Sequence, residues 1–116
     1  MKIILLSSSN VGSKTRHAMN KLLSMFQETD PNHDIQLIDL AEKEMVFADG
    51  RNYLEYDPQS DMGQVLRAIM EADALIIGSP IFQASIPASL KNIFDGLPQN
   101  ALRDKIVGMV MTAGSP

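Results

Sequence analysis

The sequence predicts a doubly wound α/β domain with a parallel sheet, on three observations. Short apolar runs alternate with amphipathic helical patterns. Two of those runs, Lys2–Leu6 and Ala74–Gly78, are apolar without alternation, as strands buried on both faces are. Loops of small and polar residues follow the strands. The resulting order is β-α-β-loop-α-β-α-β, which calls for right-handed crossovers with helices on both faces of the sheet. A length of 116 residues sets the limit at one domain with a modest core.

The first strand is Lys2 to Leu6. After the polar stretch Ser7 to Ser13, Ala18, Leu22, Met25 and Phe26 recur at three- and four-residue spacing and mark an amphipathic helix. Ser13 is placed as its N-cap, and the polar stretch Gln27 to Asp34, containing Pro31, ends it. Ile35, Leu37 and Leu40, with Gln36 and Asp39 between, make a half-alternating second strand nearer the sheet edge. From Ala41 to Asp61, charges, Gly50, Pro58 and both tyrosines follow no period, so this is a long connection of the kind that borders sites. Val65, Leu66, Ile69 and Met70 give the second helix, and Ala74 to Gly78 the third strand. Beyond the loop Ser79 to Ser85, Pro87 suits a first helical turn. Leu90, Ile93, Phe94 and Leu97 then stand at i, i+3, i+4 and i+7, with Gly96 and Pro98 closing the third helix. Ile106 to Met111 is the fourth strand, followed by Thr112 to Pro116.

Composition narrows the function. An apolar fraction of 45% with 21% charged residues describes a chain that folds. Ten basic against 14 acidic residues, a net charge of -4, give no electrostatic footprint for nucleic acid or an anionic membrane. The absence of cysteine excludes disulfides, thiolate nucleophiles and Cys-type zinc sites, and suits a reducing cytoplasm. Ile3 to Leu6, the longest apolar run near the start, is too short for a signal-peptide core or a membrane span, so the expectation is a soluble cytoplasmic protein.

In doubly wound sheets ligands bind beyond the carboxyl ends of the strands, which makes the loops after strands one, three and four the candidate site. Ser7 to Thr15 offers hydroxyls, an amide and a helix N-terminus, a set that suits a monophosphate; the same residues also make a plain capped turn. Gly12-Ser13-Lys14-Thr15 is not a Walker A loop, because a serine separates Gly from Lys and no glycine stands five residues earlier. The G-x-G-x-x-G fingerprint is absent too, which disfavours an NAD-type Rossmann site. In the second loop Ile81 and Phe82 could line a flat aromatic ligand while Gln83 reads its polar edge; ordinary loop packing explains them equally. Thr112, Ala113 and Gly114 let a ligand approach the backbone closely, or form a plain turn. His17 and His33 have no partner at metal-ligand spacing, no G-x-S-x-G elbow exists, and the carboxylates show no paired spacing. No catalytic residue and no metal site is therefore assigned, which leaves any chemistry to a cofactor.

The run Asp73-Ala74-Leu75-Ile76-Ile77-Gly78-Ser79-Pro80-Ile81-Phe82-Gln83-Ala84-Ser85-Ile86-Pro87-Ala88-Ser89-Leu90-Lys91-Asn92-Ile93-Phe94-Asp95 resembles a stretch of the NADPH-dependent FMN reductases, proteins of flavodoxin-like fold. Their pattern there is D-A, an apolar strand, then [ST]-P-x-Y-x-x-S-x-P-x-x-L-K-N-x-x-D. Ala101-Leu102-Arg103-Asp104-Lys105 and the strand and turn after it are similar to the family's A-L-x-x-K segment, and the alkanesulfonate-type members come nearest in wording. The resemblance implies that Ser9, Asn10, Ser13 and Thr15, supported by Lys14, hold the phosphate of FMN, with Ser8 as a one-residue alternative. It implies that Pro80, Ile81, Phe82 and Gln83, with Thr112, Ala113 and Gly114, border the isoalloxazine ring. The family's first-loop arginine is missing, and Phe82 replaces a commoner tyrosine.

The implied cofactors are FMN and NADPH, and the implied reaction is hydride transfer from NADPH to FMN and on to a flavin, quinone or azo acceptor. A non-catalytic FMN-binding electron carrier, or an inactive fragment of such a reductase, is the alternative. Small molecules and further copies of the chain, as a homodimer or homotetramer, are the implied partners. The implied strand order is 2-1-3-4, and the family pattern continues through another helix, a fifth strand and a final helix that have no counterpart here. Strand four is therefore expected to be an uncovered edge with wet apolar surface, in a chain that is truncated, a fragment, or completed by a partner.

Overall fold

Ile3, Ile4, Leu5 and Leu6 are all buried because the strand that carries them lies inside the sheet with helices above and below it. The computed structural model describes residues 1–11 and 13–113. Its elements are β1 (Lys2–Ser7), α1 (Lys14–Thr29), β2 (Asp34–Asp39), α2 (Asp61–Glu71), β3 (Ala74–Pro80), α3 (Ala88–Gly96) and β4 (Ile106–Thr112). Two short 3-10 turns, Leu40–Glu42 and Tyr53–Glu55, lie in the connection between β2 and α2. All strands pair in parallel in the order β2-β1-β3-β4, with Leu5 opposite Leu37 on one side and Ile76 on the other.

Alternation along β1 splits the core into two layers. Ile3 and Leu5 face α1, where they meet Met19, Leu22, Leu23 and Phe26. Ile4 and Leu6 face α2 and α3 and meet Leu66, Ile69, Leu90 and Ile93. Leu66, Ile69 and Leu90 are fully buried, each such side chain contributing on the order of 1.5–3 kcal/mol.

Several sequence expectations change in detail. The buried stripe of α1 runs through Thr15 and Met19, and Met25 is exposed. Ser13 occupies the N-cap position of α1, yet its side chain makes no capping hydrogen bond. Leu40 leaves β2 and enters a 3-10 turn, whose second N–H is capped by Asp39: Ala41 N donates to Asp39 Oδ1 at 3.0 Å. Ser79 and Pro80 belong to β3 and Thr112 to β4, so both strands reach further toward the candidate site than their apolar runs indicated. Pro87 is the residue before α3 rather than in its first turn, and Gly96 is the last helical residue, buried against α2. His17 is exposed, whereas His33 is half-buried with Nε2 2.7 Å from Asp30 Oδ2.

β4 is an open edge. Its register with β3 turns Val107, Met109 and Met111 toward the side of α2 and α3, and all three remain exposed, as does Ile106. At its amino end β4 is tied to α2 by Lys105, whose Nζ donates to the Met70 and Ala72 carbonyls at 2.8 and 2.5 Å. A lysine there satisfies acceptors that the helix C-terminus leaves open and matches the sign of the dipole. Lys105→Met is expected to cost about 1.5 kcal/mol, read as a lower urea midpoint at unchanged slope, and Lys105→Arg to recover part of it.

Candidate functional site

The carboxyl ends of β1, β3 and β4 meet at one side of the sheet, and hydrogen bonds stitch their loops together. Ser8 N donates to the Gly78 carbonyl at 3.0 Å and its Oγ to the same carbonyl at 2.9 Å. Ser8 is fully buried and its hydroxyl donates its one proton to that bond. Ile81 N donates to the Thr112 carbonyl at 2.9 Å, joining the loop after β3 to the last residue of β4. Thr15 Oγ1 and Thr112 Oγ1 lie 2.8 Å apart, joining α1 to β4.

Between these loops is a cavity of about 370 Å³, within the size range of small-molecule sites. One part of its wall is Ser9, Ser13, Lys14 and Thr15; the other is Pro80, Ile81 and Phe82, with Thr112 joining them. The polar part begins a helix of 16 residues with no acidic side chain in its first turn. Its first N–H groups have no acceptor within the helix and its dipole is positive there, so this end suits an anion. Ser9 Oγ donates to the Val11 carbonyl at 2.8 Å, which shapes the loop and leaves the oxygen as an acceptor. The apolar part suits a flat, uncharged ring.

Not every expected residue lines this cavity. Asn10 instead lines a second cavity of about 340 Å³ with Lys43, Met45, Phe47, Ser89 and Asn92. Gln83 is exposed and, like Ala113, is not part of the first cavity's wall. Gly114 falls outside the described residues. Gln83 and Ala84 instead form the centre of a tight turn, with φ of 49° and 59°, closed by reciprocal backbone hydrogen bonds of 2.9 Å between Phe82 and Ser85. Such a turn favours Asn-Gly. Alanine in the left-handed region costs about 1–2 kcal/mol, while glycine there costs about 0.5–1 kcal/mol in unfolded-chain entropy. Ala84→Gly is therefore expected to stabilise by about 0.5–1 kcal/mol, and a thermal midpoint that falls would overturn this reading of the turn.

Sequence reasoning missed the residues that hold the loops. Ser89 Oγ donates to the Ser8 carbonyl at 2.5 Å, and Asn92 reads the backbone of the β2–α2 connection: its Nδ2 donates to the Val46 carbonyl and its Oδ1 accepts from Ala48 N, both at 2.8 Å. Their signal was two polar residues at i, i+3 next to the apolar stripe of α3. Arg16 Nε lies 2.7 Å from the buried Asp39 Oδ2, a charge contact rather than an aligned hydrogen bond, and pins the start of α1 to the end of β2. Away from the cavity, a hydrogen bond from Arg51 holds the exposed Asp49 carboxyl below the usual carboxylate range. No group of His, Asp or Glu among the described residues could hold a metal ion, and no described helix is long and apolar enough to cross a membrane.

An open parallel sheet of order 2-1-3-4, with α1 on one face and α2 and α3 on the other, defines a flavodoxin-like α/β protein whose site lies where the loops converge. The family model described as NADPH-dependent FMN reductase matches residues 1–116, and the chain belongs to that family. It is 38% identical to an NAD(P)H-dependent FAD/FMN reductase of Geobacillus thermodenitrificans over 99% of this chain and 61% of that protein. It is 30% identical to an FMN-dependent NADPH-azoreductase of Staphylococcus saprophyticus over 97% of this chain and 60% of that protein. The structure superposes on the apo form of an NADH:FMN oxidoreductase, EmoB, with a TM-score of 0.77 at 27% identity, covering 99% of this chain and 59% of that one. The chain thus spans about three fifths of the length of the curated relatives it matches.

Proposed function

We propose that this chain forms the flavin-binding part of an NAD(P)H-dependent FMN reductase. The observation that carries the reading is the 370 Å³ cavity, anion-seeking at the start of α1 and apolar along Pro80, Ile81 and Phe82. FMN has a phosphate at one end and a flat ring at the other, so the chemistry of the wall matches it. When bound, FMN supplies the group that accepts hydride from NADPH and passes electrons to a flavin, quinone or azo acceptor.

The chain's own residues bind and orient. Ser13, Lys14, Thr15 and the N–H groups of the first turn of α1 counter the phosphate charge. Pro80, Ile81 and Phe82 flank the ring and exclude water from it. No side chain is given a proton-transfer role. Relatives differ in donor by name, an NADPH-azoreductase and an NADH:FMN oxidoreductase among them, and NADPH is the donor proposed here. Phe47, Ile81 and Phe82 are exposed near the mouths of the two cavities, which supports a homodimer or homotetramer in which a second copy shields the ring. The lack of cysteine supports work in the cytoplasm.

The test is a titration of FMN into the purified protein followed by flavin fluorescence, with NADPH then added and its absorbance recorded. Saturable quenching with NADPH oxidation is the expected result. Quenching without oxidation would favour a flavin binder that does not turn over, and no quenching would overturn the proposal.

A further inference from the structure

We propose that Thr112 is a positioning residue for the phosphate end of the flavin site: it donates its proton to Thr15 and so commits the Thr15 proton to the phosphate. This rests on the FMN reading above and extends it, since the family resemblance places Thr112 beside the ring.

A threonine hydroxyl has one proton and can accept through two lone pairs. The contact between Thr15 Oγ1 and Thr112 Oγ1 at 2.8 Å consumes one of the pair's two protons and leaves one free, and either oxygen can be the donor. An anion at the start of α1 breaks that symmetry. Thr15 is in the first turn of α1, at the positive end, and lines the cavity next to Lys14. With the anion there, the arrangement in which Thr112 donates to Thr15 and Thr15 donates to the anion uses both protons. A hydroxyl that accepts one hydrogen bond is polarised to donate another more strongly.

The surrounding structure keeps this contact in register. Thr112 uses its carbonyl to accept from Ile81 N at 2.9 Å while its hydroxyl meets Thr15, so one residue holds both the loop after β3 and the start of α1. Gly78, on the strand between β1 and β4, has no side chain at the place where a Cβ would come within 3.2 Å of Thr15 Cγ2 and 2.4 Å of Met19 Sδ. Helix α1 can therefore settle low enough for Thr15 to reach across to β4. Thr15 is accordingly buried at 3% exposure while still lining the cavity.

The experiment compares FMN with riboflavin, the same ring without phosphate, by fluorescence titration of the full chain. Thr112→Val keeps the shape of the side chain and removes the hydroxyl. It is expected to weaken FMN binding about tenfold, the loss of one hydrogen bond's support to a charged group, and to leave riboflavin binding unchanged. Thr112→Ser restores FMN affinity. Thr15→Val gives the same selective loss, and Thr15→Val with Thr112→Val is no worse than Thr15→Val alone, because the second hydroxyl acts only through the first. Should Thr112→Val fold poorly by circular dichroism, Thr112→Ala against Thr112→Ser reads the same selectivity. Equal losses for FMN and riboflavin, or additive losses in the double variant, would overturn the proposal and reduce the contact to loop packing. A wild-type chain that binds neither ligand would overturn the flavin reading itself, a different result from binding both without selectivity.

Discussion

Gly63→Ala is expected to destabilise the protein by about 1–3 kcal/mol, although in most helices the same change stabilises. Glycine in a helix is worse than alanine by roughly 1 kcal/mol, so propensity alone predicts a gain. The added Cβ, however, would stand 2.1 Å from the Asp57 carbonyl oxygen and 2.8 Å from an Arg67 guanidinium nitrogen. The first is backbone and cannot swing aside. That carbonyl accepts from Ser60 N at 3.0 Å and from Ser60 Oγ at 2.6 Å, while Ser60 Oγ in turn accepts from Gly63 N at 3.0 Å as the cap of α2. Arg67 binds the Gly63, Leu54 and Tyr56 carbonyls. Moving Asp57 thus strains the cap and the end of the β2–α2 connection together. Overpacking of this kind costs about 1–3 kcal/mol and a lost cap about 1 kcal/mol, which outweighs the propensity gain. A thermal melt should show a midpoint about 10 °C lower, and a midpoint at or above wild type would show that the connection yields freely.

The contrast with what a glycine predicts in a helical pattern marks where sequence reasoning stops. Lys2–Leu6 and Ala74–Gly78 could be read as interior strands because burial on both faces leaves no alternation to interpret. The helices could be placed by period: in α1 Leu22 and Phe26 pack on the sheet as their spacing predicts, Met25 does not, and Thr15 and Met19 join the buried face where Gly78 leaves room beneath them. Strand order is a matter of which distant segments pair, and periodicity is silent on that; the resemblance supplied it. The wall of the 370 Å³ cavity consists of residues named from that same resemblance, whereas Asn10 and Gln83 fall elsewhere because a loop's twist, not its composition, decides which way each side chain points. The contacts of Thr15 with Thr112 and of Asn92 with Ala48 join positions 97 and 44 residues apart, and no local pattern encodes such pairs.

Gly78→Ala carries the second large effect, because it acts on the core and on the site at once. Its Cβ would lie 2.4 Å from Met19 Sδ and 2.5 Å from Met19 Cγ, both inside the layer between the sheet and α1. Met19 is fully buried, so it can yield only by pushing α1 outward or by taking a poorer rotamer, at about 1–3 kcal/mol. Lifting the first turn of α1 also draws Thr15 away from Thr112, so FMN affinity is expected to fall with stability. Met19→Ala alone should cost about 2–5 kcal/mol through the void it leaves. In the double variant the new methyl enters part of that void and no longer meets the thioether. The combined loss should therefore be smaller than the sum of the single losses by about 1 kcal/mol or more, measured by urea unfolding of all four proteins. Strict additivity would mean that Gly78 is required for some reason other than the seat of Met19. The link drawn between the depth of α1 and the Thr15–Thr112 contact would then have to be abandoned.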